Sequence, residues 1–163
     1  MCVEFRLAGS VVTEPQENLD LWESFTTMSE IYVWNCFIRN VLLRYVARNL
    51  FQAETVRARY FDLPKNTEEV NIERKISRVR FGCVEGLVLI VWLVFRQLHG
   101  EAGELCTEYS NRFLLQVNRK RLLLVRVYWS RSNGQWNILS APFNGRNEEI
   151  AGTRVFFPLK VST

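Results

Sequence analysis

Between Leu87 and Phe95 the chain carries nine consecutive residues without a polar side chain, and this run constrains the fold more than any other feature. Both phases of a two-residue alternation are apolar there, so a strand would have to be covered on both faces. A membrane span needs about 20 apolar residues, and the run is far shorter than that. A buried helix of the same length is the competing reading. Val88, Ile90, Val91, Trp92, Val94 and Phe95 favour the β state. The run therefore predicts the central strand of a curved sheet, with a helix on one face and another body on the other.

Around that strand, 163 residues suffice for one domain, 1–163, with a substantial core. Hydrophobic residues make up 48% of the chain and aromatics 13%, which excludes a disordered polypeptide. The net charge of +4, from 21 Lys+Arg against 17 Asp+Glu, permits nucleic-acid contact without arguing for it. The start, Met1-Cys2-Val3-Glu4-Phe5-Arg6, lacks a basic segment followed by an apolar one, so no signal peptide is expected, nor a membrane span elsewhere. Cys2, Cys36, Cys83 and Cys106 are too scattered for a disulfide framework, and reduced thiols in an intracellular compartment, cytoplasm or nucleus, are the expectation. With His99 the sole histidine and no Cys-x-x-Cys, neither a metal site nor a cofactor is expected.

Residues 2–12, with Val3, Phe5 and Leu7 in phase, read as an early strand. Residues 18–52 form a helical region: Leu21, Trp22, Phe25 and Met28, then Ile31, Trp34, Phe37, Ile38, Val41, Leu42, Tyr45 and Val46, recur at helical spacing, with Arg48 outside the stripe. Thr27 and Glu30 have capping-box spacing, which allows a break near Thr26-Thr27. Strands fill 55–161: Thr55–Leu63, then 69–81 with a bulge between Ile76 and Val79, then the apolar run, 105–117, 121–130 and a last strand over 153–161. Pro158 would put that last strand at an edge. Asn133-Gly134 suits a two-residue type I′ turn, which would set Arg131 opposite Trp136 and Trp129 opposite Ile138. The fold class is α+β: one long N-terminal helix, breakable at Thr26-Thr27, packed on a curved, mostly antiparallel sheet.

Residues 86–143 carry a resemblance. The apolar strand Leu87–Phe95, the polar loop Gly100–Glu104, the strand ending Asn111-Arg112-Phe113-Leu114-Leu115, the hairpin with Gly134-Gln135-Trp136-Asn137-Ile138, and Phe143 resemble the nuclear-transport-factor-two-like family of cone-shaped α+β folds. That resemblance implies either small transport cofactors that pair through a sheet, or enzymes with a carboxylate deep in a cavity. The chain departs from the family in its early strand and in its extra tail from Gly152 to Thr163.

Candidate site residues follow from these readings. Five Trp, five Tyr and eleven Phe exceed what one small core encloses, and a sheet face without polar alternation calls for a partner. Trp92, Tyr128, Trp129, Trp136 and Phe143 are the expected apolar contacts, with Arg126 and Arg131 as a polar rim. For proton transfer the carboxylate candidates are Asp62 and Glu85. For single-stranded nucleic acid the candidates are Arg74, Arg78 and Arg80, on one strand face if no bulge intervenes. No nucleophile elbow, P-loop or zinc-protease motif occurs. The sequence thus favours a non-enzymatic protein-binding module that pairs with itself or a related fold. A cone-fold enzyme or small-molecule binder, and then a nucleic-acid binder, are the alternatives.

Overall fold

The computed structural model describes residues 6–46 and 49–159, and in it the apolar run is a helix rather than a strand. It forms the body of α4, Cys83–Arg96, in which Leu87, Leu89, Ile90 and Leu93 have no exposed surface. The physical reason is burial round most of the helix: within the run only Trp92 and Phe95 keep exposed surface. This helix lies between the sheet and the N-terminal helices, and a helix covered so widely shows little amphipathic period. Strand preferences that span only about 1 kcal/mol yield to burial worth about 1.5–3 kcal/mol for each large side chain.

Before it come β1 (Leu7–Val12), β2 (Gln16–Asp20), α1 (Leu21–Thr26), β3 (Ile31–Val33) and α2 (Asn35–Phe37), which continues as a π-helix over Ile38–Val46. Then follow β4 (Leu50–Ala53), β5 (Arg57–Asp62), β6 (Thr67–Glu68), α3 (Glu69–Lys75) and β7 (Phe81–Gly82). After α4 lie β8 (Asn111–Asn118), β9 (Arg121–Ser130), β10 (Gln135–Pro142), β11 (Glu148–Glu149) and β12 (Arg154–Pro158). Val3, Phe5 and the start of the early strand, Cys2, Arg48 and the end of the last strand lie outside the described residues.

The expected long N-terminal helix is therefore corrected. Asp20 caps α1 by accepting from the Glu23 amide at 2.9 Å, Thr27 is that helix's C-cap, and Thr27–Glu30 forms no capping box. Ile31-Tyr32-Val33 then leaves the helical path to pair with β10. Helix resumes only at Asn35, where Phe37, Val41, Leu42 and Val46 reach the core with no exposed surface. The chain is α+β but dominated by sheet, and its helices are short.

The main sheet has eight strands in the order β1-β5-β12-β8-β9-β10-β3, with β7 beside β8. It is mixed: β3 runs parallel to β10, and both β12 and β7 run parallel to β8. β12 is interior, between β5 and β8, and not the edge strand that Pro158 suggested. Pro158 is the last residue of its strand, opposite Ala58. The ladder to β5 goes on past it through the Leu159 N–H to the Arg57 carbonyl at 3.0 Å, so Pro158 falls between bonded pairs and its missing amide removes no bond to β5. The 69–81 segment is α3 followed by a Schellman turn. Arg78 N–H reaches Glu73 O at 2.8 Å and Ser77 N–H reaches Arg74 O at 3.2 Å, with Ser77 and Arg78 both at φ 56°.

The closing hairpin forms with a longer turn. Ser130 pairs with Gln135 and Trp129 with Trp136, so residues 131–134 make a four-residue turn in which Gly134 has φ 62°. The register moves by two residues from the expected one, which preserves every side chain's face. Trp129 consequently meets Trp136 edge-on at 5.4 Å instead of facing Ile138. Arg131 is exposed and forms no contact over Trp136; it stands 3.9 Å from Glu108.

Candidate functional site

Register divides the sheet into two faces with different fates. On the first, Phe113, Leu115, Leu123, Val125, Val127, Trp136, Ile138 and Phe156 are buried in the main core with α1, α4 and the π-helix. On the second, three rows cross the strands: Arg112–Arg126–Leu139, Leu114–Leu124–Ala141, and Tyr128–Asn137–Tyr32. Helix α3 covers one end of this second face, where Ile72 and Ile76 join Phe61, Leu63, Val79 and Val155 in a smaller core.

At the border of that cover sits a buried ion cluster. Arg112 has no exposed surface, with its guanidinium 3.8 Å from Glu73, 3.7 Å from Glu149 and 5.9 Å from the Phe143 ring centre. Arg126 grips Glu149 through both branches, one bond at 2.6 Å. Arg80 stands 3.4 Å from Glu73, and the Gly145 amide donates to Glu69 at 3.2 Å. Burial pushes the Glu69 and Glu73 carboxyls above the usual range, opposed chiefly by Arg112. The same burial lowers the Arg112 pKa against the pull of Glu149. Three arginines and three glutamates neutralise one another here and clasp α3 and the β6–β11 ribbon to the sheet.

Among the described residues, no element covers the opposite end of the second face. There Tyr32, Trp34 and Tyr128 border a shallow hollow of about 440 Å³, with Ser130, Asn133, Gln135 and Asn137 as its polar lining. Tyr32 is 53% exposed and Trp34 42%. Their rings meet edge-on at 6.5 Å and 79°. The Trp34 indole donates to Asn137 Oδ1 at 3.3 Å, and Gln135 Nε2 donates to the Ser29 carbonyl at 2.8 Å. These bonds fix the aromatic rim to the hairpin. Among the described residues, no charged side chain lines the hollow.

Of the residues singled out from sequence, Tyr128, Arg126 and Phe143 share this second face. Trp136 is wholly buried on the first face and so is no surface contact, while Trp129 packs half-buried against the same core. Trp92 lies half-buried on α4, with Arg96 over its ring at 5.8 Å. Asp62 is exposed and bonded to Arg154 at 2.7 and 3.0 Å; Glu85 is exposed in the first turn of α4. Glu85 borders an open hollow of about 250 Å³ that Glu54 also lines, and burial pushes its carboxyl above the usual range; Asp62 lines another open hollow with Arg6. Arg74, Arg78 and Arg80 do not share a strand face: Arg74 is in α3, Arg78 in the left-handed turn, and Arg80 beside Glu73.

Sequence reasoning misses Tyr32 and Trp34. Their signal is the alternation Ile31-Tyr32-Val33-Trp34, which a helical reading of the same residues absorbs. Among the described residues no group of His, Cys, Asp or Glu converges to hold a metal ion, and no helix is long and apolar enough to cross a membrane. Cys36, Cys83 and Cys106 are free thiols, and burial pushes Cys83 up to about 11. No family model, curated protein or solved structure matches the chain.

Proposed function

We propose that the protein is a protein-binding module, adaptor-like in kind, that holds its partner on the uncovered end of the sheet's second face. The observation carrying this reading is the exposed pair Tyr32 and Trp34, in line with Tyr128 across three strands. Large aromatics held half-exposed on a rigid sheet lose little side-chain freedom on association, and Tyr and Trp dominate interface hot spots. Arg126 and Phe143 lie further along the same face, at its border with the ion cluster.

Selection from a displayed random-peptide library tests the reading with no partner specified in advance. The expected result is enrichment of sequences that bind the wild type and lose binding to Trp34→Ala and Tyr128→Ala. Absence of enrichment, or enriched peptides that bind the variants equally, overturns it. Pairing of two copies through this face is the self-associating form of the same reading. Light scattering over a wide concentration range detects it, as a mass rise that Trp34→Glu abolishes.

A further inference from the structure

We propose that the segment held in this hollow is uncharged and proline-bearing, in the polyproline II conformation, with prolines three residues apart. This rests on the docking reading above and names the chemistry of its occupant.

Spacing is the first argument. Tyr32, Asn137 and Tyr128 stand opposite one another on three adjacent strands, so the two tyrosines are two strand spacings apart. Two spacings amount to roughly 9.6 Å. A polyproline II helix repeats every three residues with a rise of about 3.1 Å each, so its i and i+3 side chains are about 9.3 Å apart. An extended β-segment presents the same face every two residues, about 6.7 Å, and misses that interval.

Shape is the second. The Tyr32 and Trp34 rings stand at 79° to each other and make a notch with two aromatic walls. A pyrrolidine ring presents a compact apolar body to such walls, and a prolyl segment has already given up much of its backbone freedom before binding.

Charge and hydrogen bonding are the third. The seven lining residues are all uncharged, in a chain with 23% charged residues, and the two arginines of the same face are engaged, Arg126 by Glu149 and the buried Arg112 beside Glu73 and Glu149. A charged occupant would be partly desolvated without a counter-ion. A polyproline II backbone makes no internal hydrogen bonds, so its carbonyls need outside donors. The hydroxyls of Tyr32, Tyr128 and Ser130 and the amide of Asn133 supply them around the rim.

The test is titration of the whole protein with synthetic end-blocked peptides, read by calorimetry. Acetyl-Ala-Pro-Ala-Ala-Pro-Ala-amide is compared with an isomer whose prolines are adjacent, with a version carrying Glu in place of the alanines, and with a neutral hexasaccharide. The expected result is saturable binding of the first peptide, weakened about tenfold or more by Trp34→Ala and by Tyr128→Ala, as for loss of a hot-spot aromatic. Circular dichroism establishes that both variants are folded. Absence of binding, equal binding to the adjacent-proline isomer, preference for the acidic peptide, or saccharide binding that the same substitutions abolish overturns the proposal. If the library yields hollow-dependent sequences without proline, this inference falls and the docking reading stands; if it yields none, both fall.

Discussion

The Trp136 indole donates its N–H to the carbonyl of Gln97 at 2.6 Å, and this bond ties the closing hairpin to the end of α4. Both residues are buried, and the Gln97 side chain in turn bonds both main-chain groups of Leu105. Trp136→Phe removes the donor and part of the ring, a loss of about 1–3 kcal/mol. For a chain of this size each kcal/mol lowers Tm by about 2–4 °C. Calorimetry should record a drop of that order, and an unchanged Tm would contradict the anchoring role of the bond.

Glu69 and Glu73 set a pH dependence whose sign follows from their burial. Their carboxyls are raised in the fold, so the charged forms weaken stability above the folded-state value. That penalty disappears as the pH falls through the folded value toward the ordinary 4.5. Glu73→Gln cannot titrate at this position. Wild-type stability relative to Glu73→Gln should therefore rise between neutral pH and the ordinary carboxylate range. Urea unfolding across that window checks this, and a difference that stays flat or moves the other way would sink it.

Ser77 occupies the left-handed position that closes α3, at φ 56°. A residue with a Cβ gives up about 1–2 kcal/mol there, whereas glycine gives up about 0.5–1 kcal/mol of unfolded-state entropy. Ser77→Gly should stabilise the protein by about 0.5–1 kcal/mol in chemical denaturation. A destabilised variant would mean that the hydroxyl holds the turn.

Gly86 makes the reverse case, inside α4. A Cβ there would lie 2.1 Å from Leu115 Cδ2 and 3.2 Å from Phe81 Cβ, both in side chains with no exposed surface. Helix propensity favours alanine by about 1 kcal/mol, while overpacking costs about 1–3 kcal/mol. Since the helix abuts the sheet at this point, Gly86→Ala should lower Tm; a higher Tm would show that Leu115 has room to move.

These residues also mark the limits of what the sequence discloses. β5 and the hairpin around Gly134 are legible because the one alternates and the other turns on a residue with special backbone freedom, and β9 because a β-rich run stands between two turn segments. The Leu87–Phe95 run is not, since a helix buried round most of its surface and a strand buried on both faces look alike over nine residues. β3 is hidden for the opposite reason: Ile31, with Trp34 just after the strand, falls in phase with the helical stripe that resumes at Phe37. Half of the candidate site goes with it. Tyr128 is found through the hairpin, while Tyr32 and Trp34 depend on a parallel pairing with β10, a contact across about a hundred residues that no local pattern encodes.

The most direct measurement is a ¹H–¹⁵N correlation spectrum of the protein during titration with a library-selected peptide. Shifts are expected in the Trp34 indole and in the side-chain amides of Asn133 and Asn137, with the Trp92, Trp129 and Trp136 indoles unmoved. Shifts centred on Trp92 or Trp129, with Trp34 unchanged, would place binding elsewhere and contradict the docking reading.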